Sequence, residues 1–155
     1  MTGPDLDIVR AGPGHLPAWL ELREALWPEA GRADHLAEIE GQLGEPDRSA
    51  AFLAVDARGH VLGLAEASVR VDHVNGTGTS PAAFLEGIYV VPDHRRRGVA
   101  TRLVEAVAAW GGGRGCRELA SDARIDNAEG AAFHRAIGFA ETERVVFFRR
   151  DIGPV

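Results

Sequence analysis

The sequence predicts a mixed α/β fold, and three observations carry that prediction. Apolar residues alternate with a period near two in some segments and recur at three- and four-residue steps in others, the two patterns interleaved along the chain. The apolar run 83–91 closes on Pro92 and passes through one basic, glycine-containing loop directly into an amphipathic helix. No Gly-x-Gly-x-x-Gly follows the first strand, so the competing α/β architecture, a Rossmann sheet, lacks its signature. No internal repeat or low-complexity linker interrupts the order. The 155 residues are expected to form one domain, 1–155, with a sizeable core.

The elements follow in order. Residues 6–10 read as a short first strand, and Pro13-Gly14-His15 as the start of a helix carrying Leu16, Leu20, Leu22, Arg23 and Leu26. A second helix is expected over 34–43, with Asp34 as its N-cap and Gly44 as its stop. Strands follow at 51–55 and 61–71, joined by a turn at 56–59. Asn75-Gly76, Gly78 and Pro81 mark a loop over 72–81. After the central strand 83–91, Val99, Leu103, Val104, Val107 and Trp110 define a helix over 98–110 that Gly111-Gly112-Gly113 should end. A strand at 118–121, a helix over 127–137 and one or two strands within 139–149 complete the chain.

Composition narrows the function classes. Apolar residues make up 45% and charged residues 26%, ordinary values for a water-soluble globular protein. No run is long enough to span a membrane and no signal-peptide core opens the chain, so a cytoplasmic location is expected. Cys116 is the sole cysteine, which excludes an internal disulfide. The net charge of −6 argues against nucleic acid as a partner. Arg95, Arg96, Arg97 and Arg102 nevertheless cluster in this acidic chain. A basic site for a phosphorylated cofactor, facing an acidic region for a cationic substrate, accounts for that asymmetry.

The strand–loop–helix from Ile88 to Leu103 is built to hold an anion. The loop and first helical turn leave backbone N–H groups without intrahelical partners, and the helix dipole adds positive charge. Arg96, Arg97, Gly98, Val99, Ala100 and Thr101 are the candidate binding residues. For the opposite charge, Glu86 stands within an otherwise apolar strand, where a carboxylate is costly unless partnered or used. Strict alternation places it on the face of Phe84, Ile88 and Val90. Asp122 ends the following strand, and parallel pairing would bring it to the same cleft. Glu141, Glu143, Glu66 and Asp72 add to a proposed acidic substrate region, with one acid poised as a base. Cys116 has no histidine nearby in sequence to activate it as a nucleophile, and the six histidines lack metal-ligand spacing, so no metal is expected.

Arg95-x-x-Gly98-x-Ala100 resembles the acyl-CoA pyrophosphate loop of the GCN5-related N-acetyltransferases. Asn127-Ala128, Phe133-His134 and Gly138-Phe139 resemble that family's late signature. Longer strings are similar to the aminoglycoside 6'-N-acetyltransferases: Leu20-Glu21-Leu22-Arg23, Glu66-Ala67-Ser68-Val69-Arg70, Phe84-Leu85-Glu86-Gly87-Ile88-Tyr89-Val90, Ala120-Ser121-Asp122 and Glu141-Thr142-Glu143-Arg144. The resemblance implies a splayed, mostly antiparallel central sheet flanked by helices, with acetyl-CoA as cosubstrate. It implies that Ile88, Tyr89, Val90 and Asn127 join residues 96–101 in holding the cofactor. It implies that Trp27, His73, Glu86, Asp122 and Glu143 line the aminoglycoside site, His73 standing where relatives can carry tyrosine. His134 occupies the position of the tyrosine that protonates the departing thiolate, so Glu86, Asp122 and His134 are the catalytic candidates. By the same resemblance the amine attacks the thioester directly, backbone N–H groups near 88–90 stabilise the oxyanion, and the protein is a homodimer. Two other readings share the cofactor site: an acetyltransferase for another amine (a polyamine, a small metabolite or a protein N-terminus), and an acetyl-CoA-binding module without catalysis.

Overall fold

The structure is a computed structural model that describes residues 5–154. The chain divides into two compact units, one ending at Asp122 and one beginning at Ala123. The first holds a five-stranded sheet in the order β1-β2-β3-β4-β5. Its strands are β1 (Leu6–Arg10), β2 (Ser49–Asp56), β3 (Val61–Arg70), β4 (Ala82–Val90) and β5 (Leu119–Ala120). The first four pair antiparallel and β5 pairs parallel to β4, which makes the expected mixed, mostly antiparallel sheet.

Helices α1 (Leu16–Leu26) and α2 (Arg32–Gly44) cover one face of the sheet. Trp19, Leu20, Leu22 and Ile39 pack there on Ala51, Leu53 and Leu64. The register aligns Leu53 with Leu64 and Leu64 with Tyr89, so these side chains share that face. Helix α3 (Val99–Gly112) takes the other face, burying Val99, Leu103, Val107 and Trp110 at four- and three-residue steps. The second unit contains α4 (Ala128–Ala136), whose N-cap Asn127 accepts a hydrogen bond from the Gly130 N–H at 2.9 Å.

Three expectations about elements are corrected. Gly31, not Asp34, caps α2, and Asp34 lies in its first turn, where a carboxylate favours the positive end of the helix dipole. The glycine run does end α3, but two residues later than expected, with Gly112 its last residue and Gly113 its C-cap. Gly111 is a point of close approach, since a Cβ there would stand 2.8 Å from the Cβ of Ala83 on β4. No strand forms over residues 139–154. An extended segment needs a neighbour to satisfy its backbone ladder, and these residues pair with no strand.

Candidate active site

Strand β4 carries the site because its pairing changes along its length. The β3–β4 register runs Glu66↔Gly87 and then Ala67↔Leu85, so Glu86 is the extra residue of a β-bulge. The bulge breaks the alternation on which the sequence reading relied. Glu86 shares a face with Phe84, Gly87 and Tyr89, the face covered by α1 and α2, while Ile88 and Val90 lie on the other. Its Oε1 accepts from Ser68 Oγ at 2.6 Å and from Arg70 Nη2 at 2.9 Å. At 37% exposure the side chain is not the buried strand acid that the sequence suggested. It is partnered and opens to solvent.

On its other edge β4 pairs with β5 only at Ala83 and Phe84. Among the described residues that edge has no strand neighbour from Glu86 to Val90, which is the predicted splay. Asp122 is exposed two residues beyond the end of β5, whose pairing with β4 stops at Phe84 and Ala120. Ser121 Oγ donates to Leu85 O at 3.3 Å and ties the end of β5 to this stretch.

The loop after β4 has the conformation an anion site requires. Arg96 (φ 61°) and Gly98 (φ 82°) are both left-handed, flanking Arg97, and such alternation turns successive N–H groups into one concavity. Gly98 is the N-cap of α3, and no side chain caps the helix, so the first-turn N–H groups of Val99, Ala100 and Thr101 lack intrahelical partners. Space around Gly98 is open, and its glycine identity is explained by φ alone. Arg95 turns back instead: its Nε donates to Val90 O at 2.8 Å, and its guanidinium lies 5.4 Å from the Tyr89 ring centre. Arg96 and Arg97 are exposed beside the concavity. This donor set fits the pyrophosphate of a CoA thioester.

A cleft of about 890 Å³ opens between α2 and the sheet, lined by Trp27, Glu29, Glu38, Glu45, Ser68 and Glu86 among others. Trp27 and Glu86 are therefore brought together as expected. Glu66 is not an acid of this cleft in the electrostatic sense. It is 3% exposed and bonded to Arg23, to Trp19 Nε1 at 2.8 Å and to Gln42 Nε2 at 2.7 Å. Of the acids that face the cleft, Glu86 was read from the sequence, whereas Glu29, Glu38 and Glu45, which precede, lie on and follow α2, were not.

Three candidates remain, His73 in the first unit and His134 and Glu143 in the second. His73 is exposed on the loop after β3. That loop is anchored by Glu118, which accepts from Thr79 Oγ1 and from Gly78 N–H at 2.9 Å; these bonds hold its carboxyl below the usual range. In the second unit His134 Nδ1 donates to Gly130 O at 2.7 Å, and the ring lies edge-on to Phe139 with centroids 5.4 Å apart. Glu143 is exposed there, near Glu141, whose carboxyl Arg144 and then Arg135 hold low. Burial pushes the Cys116 thiol up, which disfavours the thiolate a nucleophile needs. Among the described residues no group of three His, Cys, Asp or Glu side chains could hold a metal ion, and no helix is long and apolar enough to cross a membrane.

A bulged, splayed β4 followed by an anion-binding turn and helix defines an acyl-CoA-dependent transferase fold. The profile of the Acetyltransferase (GNAT) family matches residues 16–139, and the chain belongs to that family. Within it, the chain is 47% identical over 148 residues to an aminoglycoside N(6')-acetyltransferase type 1 of Acinetobacter genomosp. 13, covering 96% of this chain and 100% of that one. The structure of AAC(6')-Iy in complex with the bisubstrate analogue CoA-S-monomethyl-acetylneamine superposes with a TM-score of 0.88, at 46% identity over 94% of this chain and 98% of that one. The aminoglycoside 6'-N-acetyltransferase AAC(6')-Ih of Acinetobacter baumannii gives a TM-score of 0.90 at 43% identity, over 96% and 99% of the two chains.

Proposed function

We propose that this protein is an acetyl-CoA-dependent N-acetyltransferase that modifies the 6'-amino group of aminoglycosides and so confers resistance to them. The observation that carries this reading is the near-full-length likeness, at 46% identity, to an enzyme bound to a molecule that joins CoA to an acetylated aminoglycoside. The acidic cleft beside Glu86 supports it independently, because a polycationic amine is best held by several carboxylates.

Each residue then has a task. Acetyl-CoA supplies the activated acetyl group. The N–H groups of residues 96–101, with the Arg96 and Arg97 side chains, take the phosphate charge, and Asn127 meets the pantetheine arm. The open β4 edge at Ile88, Tyr89 and Val90 offers N–H donors to the acetyl carbonyl. Trp27 gives a sugar ring a flat face, while His73, Asp122 and Glu143 pair with the antibiotic's hydroxyl and ammonium groups. Glu86 or Asp122 takes the proton of the reacting amine, directly or through water. A proton delivered by His134 comes from Nε2 of the imidazolium, since Nδ1 already donates to Gly130 O. The family match runs across the boundary after Asp122, which supports one acetyltransferase domain over residues 1–155. A cytoplasmic location, where acetyl-CoA is made and ribosomes are protected, follows from the same reading.

The test is thiol release from acetyl-CoA with kanamycin or tobramycin, against a panel of polyamines and peptide N-termini. Turnover is expected on the aminoglycosides. Turnover confined to another amine would replace the acceptor, and CoA binding with no turnover would leave a regulatory module. Glu86→Gln is expected to lower kcat about 100-fold or more while calorimetry shows acetyl-CoA binding intact. Normal turnover would exclude Glu86 as the base.

A homodimer belongs to the same proposal. Val145, Val146, Phe147, Phe148 and Ile152 are exposed, Phe148 to 92%, and an apolar run of this kind is a mark of an interaction surface. Light scattering is expected to give the mass of two chains, falling to one chain in Phe147→Asp/Phe148→Asp; a monomeric parent protein would overturn the dimer.

A further inference from the structure

A buried polar group lies beneath the acceptor cleft, and neither the cofactor site nor the proposed chemistry uses it. Arg23 on α1, His35 on α2 and Glu66 on β3 are 2%, 1% and 3% exposed. Arg23 reaches Glu66 through Nη1 and Glu38 through Nη2, and donates from Nε to His35 Nδ1 at 3.2 Å. His35 Nε2 lies 3.1 Å from the backbone oxygen of Trp27. These contacts fix the histidine's proton. Nδ1 faces an N–H and must accept, while Nε2 faces a carbonyl and must donate, so the ring is neutral with its hydrogen on Nε2.

Two of these residues, Arg23 and His35, meet Trp27. His35 holds its carbonyl. The Arg23 guanidinium lies 4.7 Å from its ring centre, within cation–π range. The ring's far edge is seated on Gly87 of β4: a Cβ there would fall 2.4 Å from Trp27 Cζ2 and 2.7 Å from Cη2. The indole is thus held at its backbone, its face and its edge, although Trp27 follows the last residue of α1 and is only half-buried.

We propose that Arg23 and His35 are positioning residues for the acceptor: they act through Trp27, fixing its indole as a rigid wall of the aminoglycoside cleft. The proposal rests on the reading that Trp27 meets the antibiotic. Its physical basis is preorganisation. A ring already locked in its binding position loses no further rotamer freedom when a sugar stacks on it, whereas an untethered ring must be ordered at the expense of affinity.

The test compares Trp27→Ala, His35→Ala and His35→Gln in steady-state kinetics with kanamycin and acetyl-CoA varied in turn. Trp27 emission, isolated by difference from Trp27→Phe, reports the indole. His35→Ala is expected to raise the kanamycin KM roughly three- to tenfold, leave kcat and the acetyl-CoA KM unchanged, and make Trp27 emission redder and more readily quenched by acrylamide. His35→Gln should restore both readouts, because its amide oxygen can accept from Arg23 while its NH2 donates to Trp27 O. An unchanged kanamycin KM in His35→Ala, with a raised KM in Trp27→Ala, would overturn the positioning role and leave the acceptor reading standing. An unchanged KM in Trp27→Ala would remove Trp27 from the acceptor site and end both. If His35→Ala does not fold, Gly87→Ala displaces the indole from the opposite side. A raised kanamycin KM there supports the proposal, and displaced emission with an unchanged KM overturns it.

Discussion

Replacing Arg23 with methionine is expected to destabilise the protein by about 3–5 kcal/mol, the cost of leaving a buried carboxylate without its cation. The side chain is similar in reach and loses only the charge and its donors. Glu66 would then keep Trp19 Nε1 and Gln42 Nε2 as partners but no countercharge, within a strand whose residues 62–67 are all buried. Glu38, largely exposed, would relax into water at little cost. Urea denaturation of Arg23→Met, Glu66→Gln and the double variant separates charge from packing. Glu66→Gln keeps an acceptor for Trp19, so the double variant should recover much of the loss, with a coupling of about 1–3 kcal/mol. Additive losses would mean that the ion pair is not what holds α1 to the sheet here.

Gly98→Val is the second large effect, and it falls on binding. At φ 82° a side chain meets the following carbonyl, at a cost of about 1–2 kcal/mol for an ordinary residue and more for a β-branched one. The turn escapes that cost by rotating Gly98 out of the left-handed region. Rotation redirects the N–H groups of Gly98, Val99 and Ala100, and the concavity that Arg96 and Gly98 together create is lost. Acetyl-CoA affinity measured by calorimetry is expected to fall tenfold or more, about 1.4 kcal/mol or greater, while the thermal transition moves little because the loop is exposed. Unchanged affinity would show that the arginine side chains alone carry the phosphate contacts.

The parts of this molecule that were legible in the sequence are those with local causes. Periodicity placed α3, since Val99, Leu103, Val107 and Trp110 can share a face only as a helix. Pro92 and Gly98 placed the turn before it. The anion-binding character of that turn was readable because it depends on backbone N–H groups whose position follows from the strand–loop–helix order. The β-bulge was not readable. It is a property of two strands, set by how Glu66 and Ala67 pair with residues 85–87, and alternation along β4 alone put Glu86 on the wrong face relative to Ile88 and Val90. The buried network escaped for a related reason. Arg23 stands four residues after Trp19 on the inward side of α1, His35 four before Ile39 on α2, and Glu66 two after Leu64 on β3. Each is a polar residue on a core-facing stripe, and each alone reads as an interruption. That they are complementary becomes visible only when α1, α2 and β3 are brought together. The apolar run 145–148 misled in the opposite direction: strand-like composition does not make a strand without a neighbour to pair with.

The most direct measurement of the central claim is the product itself. Purified protein is incubated with acetyl-CoA and tobramycin, and the modified antibiotic is examined by mass spectrometry and NMR. One acetyl group, attached at the 6'-nitrogen and matched mole for mole by free CoA thiol, is the predicted result. Acetylation at a different nitrogen, or no acetylated antibiotic from folded protein that binds acetyl-CoA, would contradict it.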